Sequence, residues 1–209
     1  MKKMLGYILL FWFTAACDST DNSKTFPAYY MGSYSFSSVE SMAIGVWLLP
    51  DSTFLLLKKV DNDTLFHGVF GNWTRTDDIF HLNSGDAGRL VVKLIGNNLE
   101  VLNSEGGQIG REPKFILSEE VKSEKIKLIF SAEAKVITVD KLPKLRFCNS
   151  NKYWDISNER AELSGIFKDA GSTELNSEVI VELEAGLIES DQIHIIKVQR
   201  QSLWINCDN

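Results

Sequence analysis

Sulfur and imidazole are scarce in this chain, with three cysteines and three histidines among 209 residues. His67, His81 and His194 stand apart, and none lies at metal-ligand spacing from Cys, His or a carboxylate, so the sequence writes no zinc site. His81 and His194 sit between apolar neighbours, Phe80-His-Leu and Ile193-His-Ile, as outward-facing strand positions do. Basic tracts are missing too. Lys and Arg number 22 against 28 Asp and Glu, a net charge of -6, and the one lysine-rich stretch, residues 122–127, is interrupted by Glu124. Phosphate binding needs clustered cations, so nucleic acid is excluded as a partner. There is no Gly-x-Ser-x-Gly elbow and no glycine-rich loop ahead of a helix. Asp77-Asp78 and Glu119-Glu120 are adjacent pairs that would point to opposite faces of a strand; Asp77-Asp78 is read as a turn. A Ser-His-Asp set built from distant segments would leave no such local mark, and nothing points to one. No catalytic residue, metal ligand or cofactor is assigned. Internal repeats, low-complexity segments and apolar runs of membrane-spanning length are also absent.

What is present begins at the amino terminus. Lys2 and Lys3 precede an apolar run from Met4 to Phe13, followed by the small residues Thr14-Ala15-Ala16. That layout is an export signal over residues 1–16, since a spanning helix needs roughly twenty apolar residues. Losing it removes two lysines, so 20 basic residues face 28 acidic ones and the mature charge is -8. Cys17 comes next, then a polar stretch. Thr14-Ala15-Ala16-Cys17 resembles the lipobox of bacterial lipoproteins, in which the cysteine thiol takes a diacylglycerol; Thr14 stands where Leu is preferred. The same bond also fits an ordinary signal-peptidase site. With lipid on Cys17, residues 17–25 form a flexible tether and the membrane is a partner through the acyl chains. The remaining cysteines are Cys148 and Cys207. In an oxidising compartment these two are expected to form a disulfide, the alternative being two free thiols.

The rest of the chain, 44% hydrophobic and 24% charged, has room for one large domain or two small ones. Short β-favouring runs at 43–49, 53–57, 67–73, 79–82, 90–94 and 99–102 alternate with turn residues, which predicts an antiparallel meander over 26–112. A glycine- and charge-rich stretch contains a linker at 113–124. Residues 125–209 carry further strands at 126–130, 136–139, 145–148, 178–183 and 192–198, with a short helix over 157–163 capped by Ser157 and ended by Gly165. Strands, one helix, then strands fit a small barrel of OB type, although periodicity alone does not separate it from a sandwich. The fold class is all-β.

Several segments carry a family resemblance. Gly32-Ser-Tyr followed by Ile44-Gly-Val-Trp-Leu-Leu-Pro-Asp-Ser-Thr-Phe54, then Phe70-Gly-Asn-Trp73, then Gly96 to Ile109, resemble the first domain of the NlpE family of envelope lipoproteins. Phe130-Ser-Ala-Glu-Ala, Arg146-Phe-Cys148 to Tyr153 and Trp204-Ile-Asn-Cys207 resemble its second. The resemblance implies a lipocalin-like partial barrel, an OB-like domain, a Cys148–Cys207 disulfide, and signalling of envelope stress or surface contact to the Cpx two-component system, whose sensor histidine kinase is then a partner. The family's copper role is attributed to a Cys-x-x-Cys in the first domain. Here that stretch reads Phe36-Ser37-Ser38-Val39, and copper(I) needs sulfur ligands; only Met31 and Met42 are near. The copper role is therefore not carried over.

The function this implies is a non-enzymatic, lipid-anchored sensor or interaction protein of the bacterial envelope. Asp18 resembles an inner-membrane retention signal of enteric bacteria, whereas the family points to the outer membrane, which is the preferred location. The alternatives are a lipocalin-like binder of a small apolar ligand, using Trp47, Phe54, Phe70 and Trp73, and a metal-homeostasis lipoprotein that has lost its thiolates.

Overall fold

The computed structural model describes residues 26–36, 39–60, 62–85, 88–109, 115–120, 127–169, 177–186, 192–201 and 207. The export signal expected at 1–16, the tether expected at 17–25 with Cys17, and Trp204 lie outside the described residues.

Eight antiparallel strands form the first half: β1 (Ala28–Phe36), β2 (Val39–Leu48), β3 (Thr53–Val60), β4 (Phe66–Thr76), β5 (Ile79–Asn83), β6 (Arg89–Ile95), β7 (Asn98–Leu102) and β8 (Ile116–Glu119). Each pairs with its sequence neighbour except across the end, where β8 pairs with both β7 and β1. The partial barrel expected from the sequence is in fact a closed ring, because the stretch read as a linker supplies β8. Closure leaves no unpaired edge between β1 and β7. Gly32 permits it: a Cβ there would stand 2.8 Å from the Ile116 carbonyl oxygen.

Alternation sorts the side chains of these strands. Ile44, Val46, Leu48, Phe54, Leu56, Phe80, Leu82, Val92, Leu99 and Leu117 fill the barrel. The intervening Trp47, Leu55, Leu57 and Phe70 point outward, yet they too are buried, in a second cluster shared with the rest of the chain. β3 is therefore covered on both faces, which is why Phe54–Leu57 reads as an unbroken apolar run instead of alternating.

The second half comprises β9 (Lys127–Val139), β10 (Leu142–Phe147), β11 (Trp154–Ile156), α1 (Arg160–Asp169), β12 (Ser177–Gly186) and β13 (Gln192–Gln201). Its strands pair in the cyclic order β9-β10-β11-β13-β12-β9, with β11 and β13 parallel. β9 is one strand of thirteen residues, not the two expected. Its middle is disguised by small residues: Phe130, Ala132, Ala134 and Val136 face inward and are buried, while Ser131, Glu133 and Lys135 face out. β9 turns into β10 through Asp140-Lys141, both at positive φ, as a two-residue hairpin turn of matched twist requires.

The helix also differs from expectation, starting three residues later and running through Gly165. Ser157 does not cap it; its N–H donates to the Ile193 carbonyl (2.8 Å). Asn158 then acts as a substitute peptide group, with Oδ1 accepting from Ile195 N–H (2.7 Å) and Nδ2 donating to Ile195 O (3.1 Å). The chain thus stays bound to β13 through Asn158, and Glu159 accepts the first helical bond, from Leu163 N–H. Leu163 and Phe167, one turn apart and buried, carry the helix past Gly165.

The two halves are joined by backbone. β4 and β9 pair in parallel at Phe66–Gly68 and Phe130–Ala132. Gly68 makes room, since a Cβ there would meet the Phe130 ring at 2.5 Å. Next to this bridge Phe70 stacks on Phe147 (centroids 3.8 Å) and meets Trp154 edge-on (6.0 Å). Each such side chain contributes roughly 1.5–3 kcal/mol through burial.

Candidate functional site

The disulfide organises one candidate region. Cys148 follows β10 directly and Cys207 reaches it from the carboxyl-terminal end; the two sulfurs are bonded, with Cα atoms 4.4 Å apart and both residues buried. Cys148 N–H donates to the Glu133 carbonyl (3.1 Å), which fixes the turn against β9. Beside Cys207 lies a cleft of about 310 Å³ lined by Asn72, Asn83, Arg146, Asn149, Ser150 and Asn151. It is a polar seam where both halves contribute amides.

One ion pair closes the same side of the molecule. Asp51, in the β2–β3 turn, receives Lys152 Nζ at 2.8 Å, and Lys152 also lies over the Trp154 ring at 4.2 Å. Asp51 further accepts from the Thr53 N–H and hydroxyl. Burial alone would raise the Asp51 pKa; the hydrogen bonds from Lys152 and Thr53, with the lysine charge, outweigh it and hold the carboxyl below its ordinary value. The Pro50-Asp51-Ser52 turn is legible in the sequence, but the pairing of Asp51 with Lys152 is not, because a charge on a turn carries no periodic signal.

A second cavity, about 260 Å³, lies inside the first barrel. Ile44, Phe54, Leu56, Leu82, Leu90, Val101 and Phe115 form apolar walls, with Met42, Lys58, Ser84, Gly88, Arg89 and Ile109 completing the lining. Of the four aromatics proposed from sequence for a ligand, Phe54 alone lines it. Trp47 and Phe70 face the shared core between the halves, and Trp73 packs with Phe26 and Phe80 (5.1 and 5.5 Å). For Trp47 and Phe70 the misplacement has a simple cause: outward-facing aromatics are buried here by the second half of the chain.

The histidines remain scattered. His81 lies between the buried Phe80 and Leu82, and Asp77-Asp78 forms the β4–β5 turn with Asp77 at positive φ. His194 does meet other polar groups, with Ser157 Oγ 3.4 Å from Nδ1 and Glu162 4.0 Å from Nε2. This is no activated nucleophile: the carboxylate is beyond hydrogen-bond reach, the Asn158 amide lies 3.3 Å from the same nitrogen, and His194 and Glu162 are each about half exposed. Among the described residues no three His, Cys, Asp or Glu side chains gather as a metal set. Met31 packs toward the shared core and Met42 toward the barrel interior, so the two methionines lie on opposite faces.

No family model matches the chain. No curated protein matches it either. Among solved structures it matches the Cpx pathway activator NlpE from Escherichia coli, at 16% identity over 88% of this chain and 100% of that one, with a TM-score of 0.37. A protein from Shewanella oneidensis assigned as a lipoprotein matches at 22% identity over 50% of this chain and 97% of that one, with a TM-score of 0.41.

Proposed function

We propose that this chain is a non-enzymatic, lipid-anchored protein of a bacterial envelope, acting as a sensor or interaction protein in envelope-stress or surface-contact signalling. One observation carries the reading. Cys148 and Cys207 are bonded to each other, so the third cysteine, Cys17, stands alone directly behind an export-signal pattern. A lone thiol at that place is what diacylglycerol attachment requires. On this reading residues 1–16 are removed, 17–25 form the tether, and two β units follow, opening at 26 and 125. The first is lipocalin-like in its eight-stranded ring. The second is OB-like in its five-stranded order with a helix ahead of the last two strands.

The same reading makes the disulfide a reporter of oxidative folding outside the cytoplasm, with an outer-membrane anchor preferred and a sensor histidine kinase as the signalling partner. The segment resemblances set out under the sequence support this assignment.

The test is metabolic labelling with a clickable fatty acid, followed by membrane fractionation. Wild-type protein is expected to carry label and sediment with membranes; Cys17→Ser is expected to lose both. A mature, water-soluble form whose amino-terminal cysteine bears no acyl group overturns the anchor. Overexpression with an envelope-stress reporter tests the signalling half: an unchanged reporter argues against it.

A further inference from the structure

We propose that the first barrel binds one medium-chain amphiphile with a carboxylate head, held tail-inward at the end of the ring where Lys58 and Arg89 stand. An eight-stranded ring encloses room for one small ligand, far too little for a partner helix about 10–12 Å across. Well-packed interiors leave few voids larger than water, so about 260 Å³ lined by Ile44, Phe54, Leu56, Leu82, Val101 and Phe115 is a cavity that wants apolar contents.

The head group follows from charge. Phe54, Leu56 and Lys58 alternate along β3 and line one cavity, so the lysine shares the inward face of its strand. Across the ladder it lies opposite Ile44 on one side and His67 on the other. A lysine set against apolar walls keeps its ammonium at the rim, and Arg89 enters the same lining from the start of β6. Neither cation has an ion pair among the described residues. A carboxylate at the mouth supplies that missing partner, whereas a cationic or neutral head does not. At the barrel's other end Phe26, Trp73 and Phe80 pack together, which limits depth. A water occupies about 30 Å³ of liquid and a methylene is similar in size, so the cavity takes roughly eight to ten carbons. The site uses neither Cys17 nor the disulfide, so it stands or falls separately from the anchor.

The probe pair is decanoate and decanol, titrated by calorimetry into residues 17–209 carrying Cys17→Ser, so that no attached acyl chain competes. Decanoate is expected to bind at one per chain and more tightly than decanol. Lys58→Gln and Arg89→Gln are each expected to weaken decanoate at least about tenfold while leaving decanol unchanged. Leu90→Trp, at a half-buried wall position, is expected to abolish both. Equal binding of the two probes with no effect of either charge substitution overturns the carboxylate assignment. Absence of decanoate binding, or binding that survives Leu90→Trp in a chain with a wild-type circular dichroism spectrum, overturns the site. The two charge variants decide the matter even where Leu90→Trp fails to fold.

Discussion

Lys152 Nζ lies 2.8 Å from Asp51 Oδ2, tying the loop after β10 to the β2–β3 turn of the first barrel. The carboxylate is 39% exposed, so the pair is screened and its contribution stays within about 1 kcal/mol. Because the folded-state pKa of Asp51 is depressed, this contribution is complete above the unfolded carboxyl value of about 3.9 and is lost as pH falls through the lower folded value. Wild type is therefore expected to exceed Asp51→Asn in urea midpoint at pH 7 and to match it near pH 2. A gap of equal size at both pH values would remove the electrostatic explanation.

Gly68→Ala is expected to destabilise the whole chain by about 1–3 kcal/mol, because the added methyl meets the Phe130 ring at the β4–β9 bridge. Pairing it with Phe130→Leu relieves the clash, so the double variant should lose less than the two single variants added together. Strict additivity in chemical denaturation would show that the two positions do not touch.

Cys148→Ser opens a cross-link that spans 59 residues. On loop entropy alone that removes roughly 4 kcal/mol, usually less in practice. Carboxypeptidase trimming from Asn209 should accelerate in the variant and in reduced wild type, and the urea midpoint should fall in both. Trimming at wild-type rates in the variant would mean the carboxyl-terminal end is held by packing alone.

Asn158→Leu keeps size but strips two hydrogen bonds from Ile195 in a buried setting. Leaving those backbone groups unpaired costs about 1–3 kcal/mol. Asn158→Asp retains the acceptor and loses the donor, so it is expected to fall between. Equilibrium unfolding that ranks Asn158→Leu with wild type would show that water takes over the amide's role.

Much of this architecture was legible wherever alternation was clean. The strands around Phe80-His-Leu82 and Ile193-His-Ile195 show apolar residues inward and histidine outward, and the Pro50-Asp51-Ser52 and Asp77-Asp78 turns fall where small and acidic residues cluster. Legibility failed where a neighbouring segment changed what burial means. Trp47 and Phe70 looked like barrel lining because outward faces are normally wet, and here the second half covers them. β8 was hidden in a charged stretch because four residues are too few to show a period. Ser157 looked like a helix cap, but pairing with β13 claimed it first. Lys58 escaped notice because it follows the run read as a strand, and a strand buried on both sides has no polar face against which a lone inward cation stands out.

The bridge between Phe66–Gly68 and Phe130–Ala132 has a mechanical consequence. Peptide groups grip each other across it, so the two halves part at this point only by breaking backbone pairing. Rupture there means unzipping three residue pairs together, a step with a threshold and no gradual give.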